Sequence, residues 1–177
     1  MRPAAVPPPT VDESTDLEER EGHVDGDVIS VERVVPGSPG QVFDLLVDAS
    51  KHPSFDGSGT VRQARNAASE RLKLGSVFGM SMKVGLPYRT VNEVVEYDEN
   101  RLIAWQTRGG GPLKYAIGGR IWRYELIPVQ GGTLVRESWD ISQDKLRLVF
   151  KRSSLPAMTE KSMARSLKRI ERLITSH

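Results

Sequence analysis

The apolar positions of the chain change period along its length. Val28-Ile29-Ser30-Val31-Glu32-Arg33-Val34-Val35 is β-branched and stops at Pro36, which predicts a strand. Ser38 then caps a helix that has Pro39 in its first turn and carries Val42, Phe43, Leu45 and Leu46 at helical spacing until Asp48. Residues 51–59 read as a turn-rich connection, because Pro53 biases His52 away from helical geometry and Gly57 and Gly59 permit positive φ. Six strand-like runs follow, at 60–65, 76–84, 88–97, 102–108, 120–127 and 133–141. Asp98-Glu99-Asn100 and Gln130-Gly131-Gly132 suit tight turns, while the glycines at 109–111 open a longer loop ending at Gly118-Gly119. Such a series predicts an antiparallel meander. Residues 144–152 read as a short helix, or as a strand because Leu146, Leu148 and Phe150 alternate. At 158–175 Met163, Leu167, Ile170 and Ile174 form one face of a long amphipathic helix, with Lys161, Arg165, Lys168, Arg169 and Arg172 elsewhere.

The apolar stripe of that last helix must be buried, and an antiparallel sheet has one apolar face to offer. The expectation is an α+β domain in which about seven strands curl around the terminal helix. Residues 28–177 also resemble a known family. The likeness lies in Pro36-Gly37-Ser38-Pro39-Gly40-Gln41-Val42-Phe43-Asp44-Leu45-Leu46 and His52-Pro53-Ser54-Phe55-Asp56-Gly57-Ser58-Gly59. It continues in Trp122-Arg123-Tyr124-Glu125-Leu126-Ile127-Pro128, followed by Gly131-Gly132-Thr133-Leu134-Val135. With these motifs the chain resembles the START-like, or SRPBCC, superfamily, and within it the bacterial polyketide cyclase/dehydrase and lipid-transport group. That resemblance implies the helix-grip fold. It also implies a deep cavity between sheet and terminal helix for a lipid, sterol, polyketide or aromatic metabolite, with no metal or nucleotide cofactor.

Strand alternation nominates the walls of that cavity. Trp122 and Tyr124 alternate with Arg123 and Glu125, so the aromatic pair should face inward. Phe78, Met80, Met82 and Val84 share one face of their strand, and methionine makes such a face adaptable. Trp139, Met163 and Leu167 complete the expected lining. The same alternation describes ordinary core filling.

Polar groups on inward faces are sharper clues, since a buried charge is costly without a partner. If Trp139 points inward, so does Glu137, which would serve as a hydrogen-bond acceptor or, once desolvation raises its pKa, a general base. The plainer alternative is a cross-strand pair with Arg123 or Arg89. Glu93 between Val91 and Val95 carries the same ambiguity. His52, the one histidine between the acidic N-terminal stretch and the terminal His177, reads as a helix cap or an acid/base group. Glu137, Tyr124, Arg89 and His52 are therefore the catalytic candidates.

Composition narrows this picture. The 177 residues include no cysteine, which excludes disulfides, thiolate metal sites and a cysteine nucleophile and fits a reducing compartment. There is no HxxxH, no GxSxG and no phosphate loop ending in GK[ST]. No apolar run approaches the roughly 18 residues of a membrane span, and the first ten residues lack a signal-peptide core, so a cytoplasmic protein is expected. The net charge of +2 hides a sorting: residues 1–27 hold eight acids and two bases, a net of −6, which leaves +8 for the rest. That Pro-rich acidic stretch is expected to be a disordered tail, solvated or folded back over a basic surface. Residues 144–177 hold nine bases and three acids. A solvated helix face is the plain reading of these bases; interleaved with Leu146, Leu148 and Phe150, they fit an anionic membrane surface better than nucleic acid, for which no motif is present.

Three functional classes fit these features. The first is a binder of a hydrophobic small molecule for transfer, storage or presentation. The second is a cyclase or dehydratase that orients a reactive chain and supplies acid/base groups. The third is an interaction module with a filled core, which Trp105, Trp122 and Trp139 all pointing inward would favour.

Overall fold

Residues 20–65, 71–111 and 118–176 are described by a computed structural model. The expectations for residues 1–19, for the middle of the 109–119 loop and for His177 lie outside them. Among the described residues eight antiparallel strands form one sheet. The meander runs through β3 (Val61–Arg65), β4 (Val77–Val84), β5 (Leu86–Asp98), β6 (Leu102–Gly109), β7 (Gly118–Val129) and β8 (Gly132–Asp140). The first predicted strand, β2 (Val28–Val35), closes it by pairing with β8 from Val28↔Asp140 to Val35↔Thr133.

One strand was not foreseen. β1 (Arg20–Asp25) pairs antiparallel with β2 through a turn in which Gly26 takes φ +59°. The folded part therefore begins before residue 27, where the acidic tail was expected to end. An edge strand needs backbone partners rather than an apolar face, so a charged sequence can form one.

Between β2 and β3 lie α1 (Pro39–Leu46), a 3-10 turn (Ala49–Lys51) and α2 (His52–Phe55). Ser38 caps α1 as expected: its Oγ accepts from Gln41 N at 3.3 Å while Gln41 Oε1 accepts from Ser38 N at 2.8 Å. The expected turn at 51–59 is partly helical, and His52 takes helical φ/ψ of −52° and −40°. Packing of its ring among buried aromatics overrides the bias that Pro53 imposes.

After β8 come α3 (Arg147–Lys151), which settles the ambiguous 144–152 segment as helix, and α4 (Leu155–Thr175), which starts three residues earlier than its periodicity indicated. Pro156 in the first turn has no N–H to lose there. Met163, Leu167 and Ile170 are buried against the concave face of the sheet, each burial stabilising by about 1.5–3 kcal/mol. The result is the curled sheet gripping a terminal helix. Gly57 fits α4 so closely that a Cβ there would lie 2.0 Å from Ser162 O. Its N–H donates to Ser166 Oγ at 2.8 Å, and its carbonyl accepts from Arg165 Nε at 2.9 Å. Two of the basic residues of α4 and its neighbourhood are thus engaged inward, since Arg169 also donates to the carbonyl of Asp56.

Candidate functional site

Strand register determines what meets inside. Tyr124 on β7 stands opposite Glu137 on β8, Trp122 opposite Trp139, and Leu126 opposite Val135. On its other side Glu137 faces Val31 of β2. The concave face therefore carries Glu137 within a ring of Tyr124, Val31, Val135 and Trp139 as its lateral and along-strand neighbours. Glu137 is 2% exposed, and the Tyr124 hydroxyl donates to its carboxyl group. Its second oxygen, Oε2, is buried with no hydrogen-bond partner. Burial pushes the Glu137 carboxyl up to about 8; the bond from Tyr124 opposes this and the negative charge of Asp56 adds to it. Burial also holds the Tyr124 phenol well above its ordinary range, reinforced by Glu137.

Neither alternative partner for Glu137 is used. Arg123 points to the outer face and pairs with Glu96, its Nε donating to Glu96 Oε2 at 3.1 Å. Arg89 is exposed on β5, opposite Ser81. Glu93 is half-buried on the outer face, opposite Val77 and Gln106.

An aromatic stack continues from Tyr124. Trp105 lies against it at 5.6 Å, His52 lies on Trp105 at 4.9 Å, and Phe78 meets both His52 and Trp105 edge-on at 5.4 and 5.9 Å. Phe55 closes on Tyr124 at 6.4 Å. His52 is 4% exposed, and its Nε2–H donates to the carbonyl of Leu46, the last residue of α1, at 2.8 Å. It does the work of a cap. Burial pushes its pKa down to about 4, so the ring is neutral at physiological pH.

The structure brings Glu137, Tyr124, His52, Phe78, Trp139, Met163 and Leu167 into one interior, with Met80 buried at its β4 end and Met82 half-buried beyond it. Trp122 is half-buried, with its ring 6.3 Å from Trp139, because it lies toward the α3 end of the sheet. Arg89 is left apart. With Met80, Thr90, Val91 and the glycines at 79, 110 and 111, it lines an open cleft of about 410 Å³ at the β4–β5–β6 edge. Glu137 is not among the cleft's walls, and we place the candidate site at the buried acid, where a polar atom lacks a partner.

Several interior residues escaped the sequence reading. Phe55 sits in a segment that read as a turn. Asn92 and Thr107 are buried on β5 and β6, where Thr107 Oγ1 donates to Asn92 Oδ1 at 2.7 Å. Arg120 Nε donates to the fully buried carboxylate of Asp144 at 3.0 Å and lies over the Phe150 ring at 4.9 Å. Phe150 in turn packs 6.1 Å from Trp139, which pins α3 to the open end of the sheet. A second tie comes from Asp27, which accepts from Arg147 at 3.1 Å and from Lys151 at 2.8 Å.

Comparison with known proteins agrees with this architecture. A family model described as "Polyketide cyclase / dehydrase and lipid transport" matches residues 27–175. The protein Rv0088 of Mycobacterium tuberculosis is 35% identical over 113 residues, which is 63% of this chain and 45% of that protein, so the match spans under half of its length. A solution structure of an Arthrobacter aurescens protein covers 88% of this chain and 91% of its own, with a TM-score of 0.69 at 12% identity. The polyketide_cyc-like protein Cgl2372 of Corynebacterium glutamicum covers 84% and 91%, with a TM-score of 0.53 at 18% identity. These structures share the fold.

Proposed function

Because the chain belongs to the polyketide cyclase/dehydrase and lipid-transport family, we propose that it binds a hydrophobic small molecule between the concave sheet face and α4, for transfer, storage or presentation. The observation that carries this reading is the orphaned Oε2 of Glu137. A buried polar atom without a partner costs about 1–3 kcal/mol, and more for a charged group. An interior that served only as packing would be more stable with an apolar residue at 137. A ligand that meets this oxygen supplies the missing partner.

The α3 end is the entry this reading uses. No α3 side chain is fully buried, Trp122 is half-buried there, and Phe150 is the ring that closes on Trp139. Contact with an anionic membrane belongs to the same proposal, since Leu148, Val149 and Met158 are exposed at this corner beside basic residues. A cytoplasmic location is proposed on the cysteine-free sequence; among the described residues no helix is long and apolar enough to cross a membrane.

Two other readings each have an observation in their favour. Glu137, pushed up to about 8, is poised for acid/base work near neutral pH, as a cyclase or dehydratase would require. Trp105, Trp122 and Trp139 all lie on the concave face, as an interaction module with a filled core would have them. Native mass spectrometry of freshly purified protein separates these from the carrier. A co-purifying apolar species supports binding; a bare mass, together with no uptake of a solvatochromic dye, rejects it.

A further inference from the structure

Glu137 has a distinct polarity once its surroundings are counted. On β7 it meets the Tyr124 hydroxyl, and on β2 the apolar Val31. Arg33, one inward position along β2 from Val31, is committed to Glu171 of α4, with Nε 2.7 Å from Oε2. The inward residues of α4 are Met163, Leu167 and Ile170. Arg120 is matched by Asp144, and His52 is neutral. The remaining charge that acts on Glu137 is that of Asp56, another acid. Burial and the nearby Asp56 therefore disfavour a second anion beside Glu137, and the Glu137 carboxyl is itself most stable in the neutral form.

A neutral carboxyl has one O–H and one carbonyl oxygen. Tyr124 donates to one oxygen and the other, Oε2, has no partner within the fold, so a proton held there is a donor in need of an acceptor. Building on the pocket reading above, we propose that Glu137 is the specificity-determining anchor of the site and that it selects uncharged ligands presenting a hydrogen-bond acceptor, such as the carbonyl oxygen of a ketone, quinone or ester. Aromatic walls from Tyr124, Trp105 and Trp139 suit a flat or conjugated body next to that carbonyl. Ionised carboxylates are disfavoured, because they would arrive as anions beside Glu137 and Asp56, while Arg33 and Arg120 are already paired with carboxylates and Arg165 and Arg169 are turned to the backbone carbonyls of Gly57 and Asp56.

Three probes of one shape test this by fluorescence titration of the full chain: anthracene, 2-acetylanthracene and anthracene-2-carboxylate. Wild-type protein is expected to bind the acetyl compound about tenfold more tightly than anthracene, the increment of one buried hydrogen bond, and the carboxylate most weakly. Glu137→Gln retains a neutral donor and should keep the order. Glu137→Leu removes the donor and should equalise acetylanthracene and anthracene while still binding both. Equal affinity of wild type for all three probes, or an acetyl preference that survives in Glu137→Leu, overturns the anchor while leaving the pocket intact. No binding of any probe to the wild type overturns the pocket reading and the anchor with it.

Discussion

Tyr124 and Glu137 stand directly opposite each other on β7 and β8, and the phenol donates to a carboxyl whose other oxygen, Oε2, is buried without a hydrogen-bond partner. The pair is asymmetric. Tyr124 satisfies its own hydroxyl through Glu137, whereas Glu137 is left with one oxygen to spare. Cross-strand register makes this arrangement unavoidable once Trp122 and Trp139 have paired, because the side-chain period of two then places residues 124 and 137 on the same face.

Glu137 ionises at its ordinary value of 4.5 when unfolded but at about 8 when folded, so the folded state binds the extra proton between those values. Stability must then fall as pH rises, by up to about 1.4 kcal/mol per pH unit across that window, with the full penalty present above it. Glu137→Gln lacks this slope. Urea denaturation from pH 5 to pH 8 should show the variant gaining on wild type at each step, by a total of a few kcal/mol; parallel curves would remove Glu137 as the titrating group.

His52 gives the opposite sign. Its folded pKa of about 4 lies below the unfolded 6.5, so the unfolded state takes up the proton and stability is lost as pH falls from 6.5 to 4. Between 4.5 and 6.5 the two slopes oppose, which flattens the wild-type profile there. His52→Leu should release the Glu137 slope across this range. It should also lower stability at pH 7 by about 1–2 kcal/mol, because the Leu46 carbonyl loses its donor. A His52→Leu protein whose profile between pH 4.5 and 6.5 matches wild type would contradict the assignment.

The residues that made the site legible from sequence are those whose role follows from alternation. Val135, Glu137 and Trp139 share a face by period alone, and Phe78 and Met80 do likewise. The helix stripe of Met163, Leu167 and Ile170 was equally plain. What sequence could not supply is partnership across distance. Nothing local distinguishes Arg123, which pairs with Glu96 on the outer face, from Arg120, whose partner Asp144 is buried 24 positions later. Phe55 was hidden because its segment is ordered by the aromatic stack rather than by its own periodicity, and β1 because it relies on backbone pairing. Arg89 looked equivalent to the other inward candidates, but its strand alternation, set by Thr90 and Asn92 facing in, turns it outward.

Gly57 provides a test of how tightly the grip is set. A methyl group there meets Ser162 O at 2.0 Å and Ser166 N at 2.5 Å, both backbone atoms of α4 that cannot turn aside. Gly57→Ala must push α4 away from the α2 loop and weaken the bonds to Ser166 and Arg165. A loss of about 2–3 kcal/mol is expected by thermal or urea denaturation. An unchanged midpoint would mean that α4 does not seat against this loop.

The α3 corner carries exposed apolar side chains. Leu148, Val149 and Met158 are 61%, 62% and 60% exposed within a short stretch of chain, too much apolar surface to be stabilising the fold. Arg147 and Lys151 beside them are drawn to Asp27, while Arg152 and Lys161 are exposed. An apolar tip flanked by bases suits insertion at an anionic bilayer, where each base near the surface contributes about 1 kcal/mol. The protein should float with vesicles of phosphatidylcholine and phosphatidylglycerol, less so with phosphatidylcholine alone, and binding should weaken with salt. Replacing Leu148 and Val149 together by Asp should lower vesicle binding at least about tenfold while leaving the denaturation midpoint nearly unchanged, because neither side chain is buried. Binding that persists in this variant would mean that α3 is not the docking element. Loss of binding with retained probe affinity would separate the membrane contact from the ligand pocket.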